Sequence, residues 1–309
     1  MKGLPDKNSK LEDYEIFADV DLIITDLDGT LIKGSEPVLG QIKKCINYLR
    51  RKKTQITIAT GRTYFGAKSL MDDIEIKLGM PITLYNGGIV LEYGTNNVLF
   101  ASLIPGEIVE DIKQILDLNR TVFYLYTFSI SDNGLQGNSD TFIQEDVYAY
   151  GNGTNKKDIN ERDIIWLDQN YKFDLPPTAI LIEKEKLSVK EKEKIILFLE
   201  SNEKVSFTDS GNGFIEIKGC GLDKGIIFDI LKAQPRYKIN KILAIGDNDN
   251  DKELFQCADI SVAVANSSEL AIENADYICE HESAWGFLDM LNVLKTAKKY
   301  YIDKRNIYE

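Results

Sequence analysis

DLIITDLDGT (Asp21–Thr30) is the stretch from which the fold can be read. Its first half is a short apolar run of the kind that is buried in a parallel sheet. Its second half turns the strand end into a carboxylate-rich loop. Downstream, Val38, Ile42, Ile46 and Leu49 recur at helical spacing. TQITIAT (Thr54–Thr60) is a further strand, a helix is expected from near Thr63, and PITLY (Pro81–Tyr85) is a third strand. The pattern returns late in the chain. A helix is predicted over 223–232, and KILAIG (Lys241–Gly246) runs as a strand into GDNDND. DISVAVAN (Asp259–Asn266) and ADYIC (Ala275–Cys279) complete the set. Strands alternating with helices imply βαβ units, and hence an α/β, doubly wound, Rossmann-like parallel sheet.

The middle of the chain is different. VLFASLI, TVFYLYTF, TFIQEDVYAY, TAILIEK and KVSFTD are strand candidates, with helices expected near 107–118 and 187–200. Strands in adjacent groups point to an antiparallel α+β insert. The predicted division is therefore a core over 16–90, an insert over 91–208 and a second core segment over 209–309. Residues 1–15 read as a loose arm. GNGTNKKDINERD (Gly151–Asp163) reads as a loop within the insert, and EKEKLSVKEKEK as a solvated helix face.

Bulk composition narrows the function. The chain has 309 residues, 43% hydrophobic and 28% charged, with a net charge of −12. This acidity argues against nucleic acid as a partner, because phosphate backbones recruit basic surfaces. No apolar run approaches the roughly 20 residues of a membrane helix, and the polar start lacks a secretory pattern. A cytoplasmic protein, monomer or homodimer, without a membrane partner is expected. Cys45, Cys220, Cys257 and Cys279 show no CxxC spacing and read as reduced, mostly buried thiols. His281 is the only histidine, so carboxylates and lysine are better placed than a histidine triad to move protons.

Four short segments fall at predicted strand ends or helix starts, the edge where open α/β sheets bind ligands. They are Asp26-Leu27-Asp28-Gly29-Thr30, Thr60-Gly61-Arg62, Lys224-Gly225 and Gly246-Asp247-Asn248-Asp249-Asn250-Asp251. Asp26 and Asp28 can share one cation, and Asp247 and Asp251 can complete an oxygen-rich shell suited to Mg²⁺. Thr60 offers a hydroxyl and nearby N–H groups to a phosphate, and Lys224 a point charge. Phosphoryl transfer needs mainly in-line positioning and charge neutralisation, which such parts supply.

In this order the segments resemble motifs I to IV of the haloacid-dehalogenase-like (HAD) hydrolases, and in particular the Cof-type branch, subfamily IIB. Asn86-Gly87-Gly88 and Phe214-Ile215-Glu216-Ile217 add to the likeness. The resemblance implies a phosphomonoesterase acting on a small phosphorylated metabolite such as a sugar phosphate. It implies Asp26 as nucleophile and Asp28 as general acid and base. Mg²⁺ would be held by Asp26, the backbone carbonyl of Asp28 and Asp247, with Asp251 holding metal-bound water or orienting Lys224. Phosphate would meet Thr60, Gly61, Lys224 and Asn250, with help from the Leu27 N–H. Arg62 would reach substrate or brace a carboxylate. Only the separation of 164 positions from Thr60 to Lys224 (224 − 60) leaves room for a cap, which by the resemblance is of the C2B type and chooses the leaving group. A phosphomutase, or a non-enzymatic sensor of phosphorylated metabolites, could use the same scaffold. The complete set Asp26, Asp28, Lys224 and Asp247 argues against a sensor, which needs no nucleophile.

Other residues read more plainly. Phe123, Tyr124, Tyr126 and Phe128 share one strand, and core packing explains them more simply than sugar stacking. Asp249 reads as a helix-start residue, His281 as a surface residue, and Asn86 as part of a hinge or site rim.

Overall fold

The computed structural model describes residues 2–34, 36–132, 141–158, 162–209 and 213–302. The elements begin with β1 (Lys2–Gly3), β2 (Leu22–Thr25), α1 (Gly40–Arg51), β3 (Gln55–Ile58), α2 (Tyr64–Asp73), β4 (Pro81–Leu84), β5 (Ile89–Glu92) and β6 (Val98–Ala101). They continue with α3 (Gly106–Ile115), β7 (Phe123–Asp132), β8 (Thr141–Tyr150), β9 (Ile164–Trp166), β10 (Ala179–Glu183), α4 (Val189–Glu200), β11 (Val205–Asp209) and β12 (Phe214–Gly219). Last come α5 (Ile226–Ala233), β13 (Ile242–Gly246), α6 (Lys252–Cys257), β14 (Ile260–Ala263), α7 (Glu269–Asn274), β15 (Tyr277–Ile278) and α8 (Ser283–Ala297). No described helix is long and apolar enough to cross a membrane.

The chain forms two compact units. The first comprises residues 1–62, 67–94 and 223–309, and the second residues 63–66 and 95–222. The first unit is built on a six-stranded sheet in the order β1-β15-β14-β13-β2-β3. Every pairing in it is parallel. β2, β13 and β14 are buried along their whole length, as expected of strands covered on both faces. The strand order reverses between β2 and β13, so a crevice is expected at the carboxyl ends of these two neighbours. β4 and β5 form a small antiparallel pair, and Thr60 N–H donates to the Thr83 carbonyl at 3.0 Å beside it.

The second unit is α+β. Its sheet runs β11-β12-β10-β7-β8-β9, antiparallel apart from the β8–β9 pair. Strand alternation divides β7 between two faces. Phe123 and Leu125 pack with Ile108, Ile112, Ile195 and Leu199 of α3 and α4, while Tyr124 and Tyr126 lie on the other face.

Several expectations need correction. The N-terminal segment is not a loose arm. β1 pairs with β15, a short 3₁₀ helix covers Leu11–Phe17, and Phe17 is fully buried with its ring 5.1 Å from that of Tyr277. The second unit extends beyond 208, because β12 pairs with both β10 and β11. Two thiols, Cys220 and Cys257, are exposed rather than buried. In the 151–163 loop, residues 159–161 lie outside the described residues.

Candidate active site

The first unit brings four of its loops to one point at the β2/β13 edge. Asp26 follows β2, and its N–H donates to the Ile245 carbonyl of β13 at 3.0 Å, so the two strand ends are in register. Asp247 follows β13 directly. Lys224 stands just before α5, fully buried, and its Nζ donates to Asp26 Oδ1 and to Asp251 Oδ1, each at 2.7 Å. It also reaches Asn250 Oδ1 at 3.4 Å. A buried ammonium of this kind persists only when paired. Its proton is held more tightly than in a free lysine: burial works against the charge, and Asp251 and Asp26 overcome it.

Oxygens of Asp26, Asp247 and Asp251 lie within 4.8 Å of one another. Crowding buried carboxylates resists ionisation. Burial, with repulsion from Asp251 and Asp247, pushes the Asp26 carboxyl up to about 8 despite Lys224. Burial likewise pushes Asp247 up to about 6, although the hydroxyl of Thr30 opposes this. A divalent cation would relieve that repulsion, and an all-oxygen donor set fits a hard ion.

The loop geometry is dictated by small residues. Gly29 has φ +82°, and a Cβ there would lie 2.2 Å from Asp247 Oδ2. Only glycine lets the two loops approach so closely. Thr30 Oγ1 donates to Asp247 Oδ1 at 2.8 Å. Asp251 is wholly buried, and its Oδ2 accepts from the N–H groups of Asp247 at 3.0 Å and Asn248 at 3.1 Å. With Oδ1 given to Lys224, Asp251 ties the loop and the lysine together. Asp249 accepts from Ser268 Oγ at 2.6 Å at the start of the following short helix.

Asp28 is placed differently from the simplest reading of two carboxylates around one cation. Its carboxylate is outside the trio and is gripped by Arg62, with Nε to Oδ2 at 2.7 Å and Nη2 to Oδ1 at 2.5 Å. A bidentate guanidinium contact satisfies both oxygens at once. The Asp28 hydrogen bonds, then burial working against them, leave the Arg62 proton held more tightly than usual. Thus Arg62 braces a carboxylate. Leu27 is fully buried, and its carbonyl accepts from Leu31 and Ile32 N–H, each at 3.0 Å, which curls the loop back.

Thr60 is buried, and its Oγ1 accepts from Arg62 N–H at 3.2 Å. Gly61 lies against Asn86, whose Nδ2 would stand 2.9 Å from a Cβ at that position. Asn86 Oδ1 accepts from Asn250 Nδ2 at 3.1 Å. Asn86 itself is buried at φ +52°, an unusual backbone state for a non-glycine residue. It therefore joins the Thr60 loop to the Asn250 loop, a role beyond the rim position expected of it. Two further residues escaped the sequence reading. Thr30 sits inside the quoted DLDGT, and its place at the strand end was its only signal. Asn266 donates from Nδ2 to the Gly29 carbonyl at 3.1 Å and accepts from Ser283 N–H at 2.7 Å. Its signal was again a polar residue just past a strand, β14. His281 is exposed and pairs with Asp289 at 3.0 Å.

Comparisons with known proteins give the family. Residues 23–291 match the family model described as haloacid dehalogenase-like hydrolase. A Mycoplasma pneumoniae protein provisionally named a phosphatase is 27% identical over 279 residues, covering 86% of this chain and 95% of that protein. The 5-amino-6-(5-phospho-D-ribitylamino)uracil phosphatase YwtE of Bacillus subtilis is 24% identical, covering 87% and 97%. Among solved structures, a haloacid dehalogenase-like hydrolase from Bacteroides thetaiotaomicron superposes with a TM-score of 0.68 at 21% identity, covering 91% of this chain and all of that one. At such identity the structural likeness speaks for the fold. The match of the family model across most of the sequence makes the chain a member of the haloacid dehalogenase-like hydrolase family.

Proposed function

We propose that the chain is a Mg²⁺-dependent phosphomonoesterase that works through an aspartyl-phosphate on Asp26. The carrying observation is the buried Asp26–Lys224–Asp251 arrangement beside Asp247, with each Lys224 contact at 2.7 Å. A nucleophilic carboxylate held by a buried cation, next to a potential divalent-ion site, suits phosphoryl transfer. The names of the relatives point the same way.

Asp26 attacks phosphorus, and the bond from phosphorus to the alcohol oxygen breaks. Asp28, once protonated, gives its proton to the departing oxygen. The Asp28 carboxylate then takes a proton from water as that water attacks the aspartyl-phosphate, which returns Asp26 and frees phosphate. Arg62 grips the carboxylate form of Asp28, so it steadies this residue in its basic role and must yield when Asp28 acts as an acid. Lys224, Thr60, Gly61, the Leu27 N–H and Asn250 form the phosphate cradle, which Asn86 braces. Lys224 Nζ neutralises charge at the reacting oxygens.

Asp26 and Asp247 are the cation's direct side-chain donors in this reading, with the Asp28 carbonyl alongside. Asp251, its oxygens already engaged, orients Lys224. When bound, Mg²⁺ supplies charge neutralisation to the phosphoryl oxygens. The second unit, as a cap, selects among small substrates such as sugar phosphates.

Replacement of Asp26 by Asn tests the reading. Mg²⁺-dependent phosphate release from a panel of small phosphomonoesters should fall by on the order of 10³ or more. Turnover equal to that of the unaltered chain would reject it.

A further inference from the structure

Residues 264–268, which follow β14, touch both acidic loops of the first unit. Toward the Asp247 loop the contacts are mainly backbone. The Val264 N–H donates to the Gly246 carbonyl at 3.2 Å, and the Ser268 N–H donates to the Asp247 carbonyl at 2.8 Å. Ser268 Oγ donates to Asp249 Oδ1 at 2.6 Å. Toward the Asp26 loop the segment extends the side chain of Asn266, whose Nδ2 donates to the Gly29 carbonyl at 3.1 Å.

The amide of Asn266 is held at both ends. The Ser283 N–H donates to its Oδ1 at 2.7 Å. An N–H can only donate and the Gly29 carbonyl can only accept, so the two partners fix which way the amide points. Ser283 is buried with φ +46°, a left-handed state that non-glycine residues seldom adopt, and its N–H is directed at Asn266 from that turn. The Ala265 N–H donates to the His281 carbonyl at 3.0 Å. The segment is therefore moored to the start of α8 at two successive residues, and Asn266 passes that anchorage on to Gly29. Asn266 itself is exposed. Water readily replaces exposed hydrogen bonds, so this pairing adds little to folding.

Its larger consequence is geometric. Gly29 stands between Asn266 and Asp247. The amide holds its carbonyl, and its Cα lies so close to the Asp247 carboxylate that a Cβ would meet Oδ2 at 2.2 Å. Asp26 is three residues earlier on the same loop. The spacing of the Asp26 and Asp247 carboxylates thus depends on where Gly29 is held. Mg²⁺ demands near-ideal octahedral geometry with oxygens at about 2.0–2.1 Å, whereas Ca²⁺ accepts about 2.3–2.6 Å and irregular shells. A clamp on that spacing favours the smaller ion.

We propose that Asn266 is a positioning residue that sets the preference of the acidic site for Mg²⁺ over Ca²⁺, by holding the Asp26 loop at the distance from Asp247 that a small ion needs. The inference rests on the reading of the acidic trio as a Mg²⁺ site.

Calorimetric titration of the full chain with Mg²⁺ and with Ca²⁺ tests this. In Asn266→Ala the Mg²⁺ affinity should fall about tenfold and the Ca²⁺ affinity by less than about threefold, so the Mg²⁺/Ca²⁺ ratio drops. The melting temperature should fall by less than about 3 °C. Asn266→Asp keeps the acceptor for the Ser283 N–H and loses the donor to Gly29. Its added charge acts on both divalent ions alike, so the ratio should drop here too, whichever way the separate affinities move. Ser268→Ala removes the side-chain cap of α7 from the same segment. It should lower the melting temperature and leave the ratio unchanged. A ratio unaltered in both Asn266 variants, or one that merely follows the melting temperature across the three variants, overturns the proposal. Asp247→Asn separates the two levels of the argument. Mg²⁺ binding that survives Asp247→Asn overturns the metal reading and this proposal with it. Binding abolished by Asp247→Asn, with the ratio untouched in the Asn266 variants, overturns the positioning role alone.

Discussion

Asp28 and Arg62 set the clearest residue-scale test. Asp28→Asn keeps the shape but cannot shuttle a proton, so kcat should fall by about 10²–10⁴. Binding of Mg²⁺, measured by calorimetry, should stay within a few-fold of the parent, because the Asp28 carboxylate lies outside the acidic trio. A large loss of metal affinity would instead make that carboxylate a ligand. Gly29→Ala probes the close approach of two loops. The new Cβ would meet Asp247 Oδ2 at 2.2 Å on a backbone with φ +82°. Thermal unfolding should show a loss of about 1–2 kcal/mol from the backbone alone, and metal affinity should drop as Asp247 is displaced. Unaltered metal affinity would show that Asp247 is not a ligand.

At the scale of elements, α4 shows how strongly the sequence can mark a boundary. Ser188 and Glu191 form a reciprocal capping box, and Glu191 also accepts from Asp117 N–H at 2.7 Å. Ser188→Ala should cost about 1 kcal/mol, measurable by denaturant unfolding. A change near zero would mean that water replaces the cap. The strands β2, β3 and β13 were legible because each is an apolar run ending in a polar turn, and this same feature located Asp26, Thr60 and Asp247. Other elements escaped for physical reasons. β1 has two residues, too few to show a period. β12 belongs to the second sheet through pairings such as Ile180 with Ile217, a contact that no local pattern encodes. α8 carried a readable stripe in Phe287, Met290, Leu291 and Leu294, all buried, that the expectations from sequence do not include. The bridging role of Asn86, and Asn266 altogether, were hidden because their partners, Asn250 and Gly29, are distant in the chain.

For the whole molecule, the acidic trio links metal, pH and stability. A carboxyl whose folded-state pKa is raised binds its proton more tightly when folded, so the metal-free protein loses stability as pH rises. That loss begins near the ordinary carboxyl value of 3.8 and continues to about 8, the upper of the two raised values. Mg²⁺ must displace those protons, so its affinity should climb by up to about tenfold per pH unit for each proton displaced. Scanning calorimetry should find a larger Mg²⁺-induced rise in Tm above about pH 8 than near pH 6. Equal rises would mean that the trio is not where the ion binds. Asp26 as the phosphorylated group is tested most directly by trapping. The chain is quenched during turnover of a small phosphomonoester with Mg²⁺, reduced with borohydride and mapped by peptide mass spectrometry. An aspartyl-phosphate is reduced to homoserine, so homoserine should appear at position 26 and vanish in Asp26→Asn. Steady phosphate release with unmodified aspartate at position 26, or with homoserine at another position, would contradict the account.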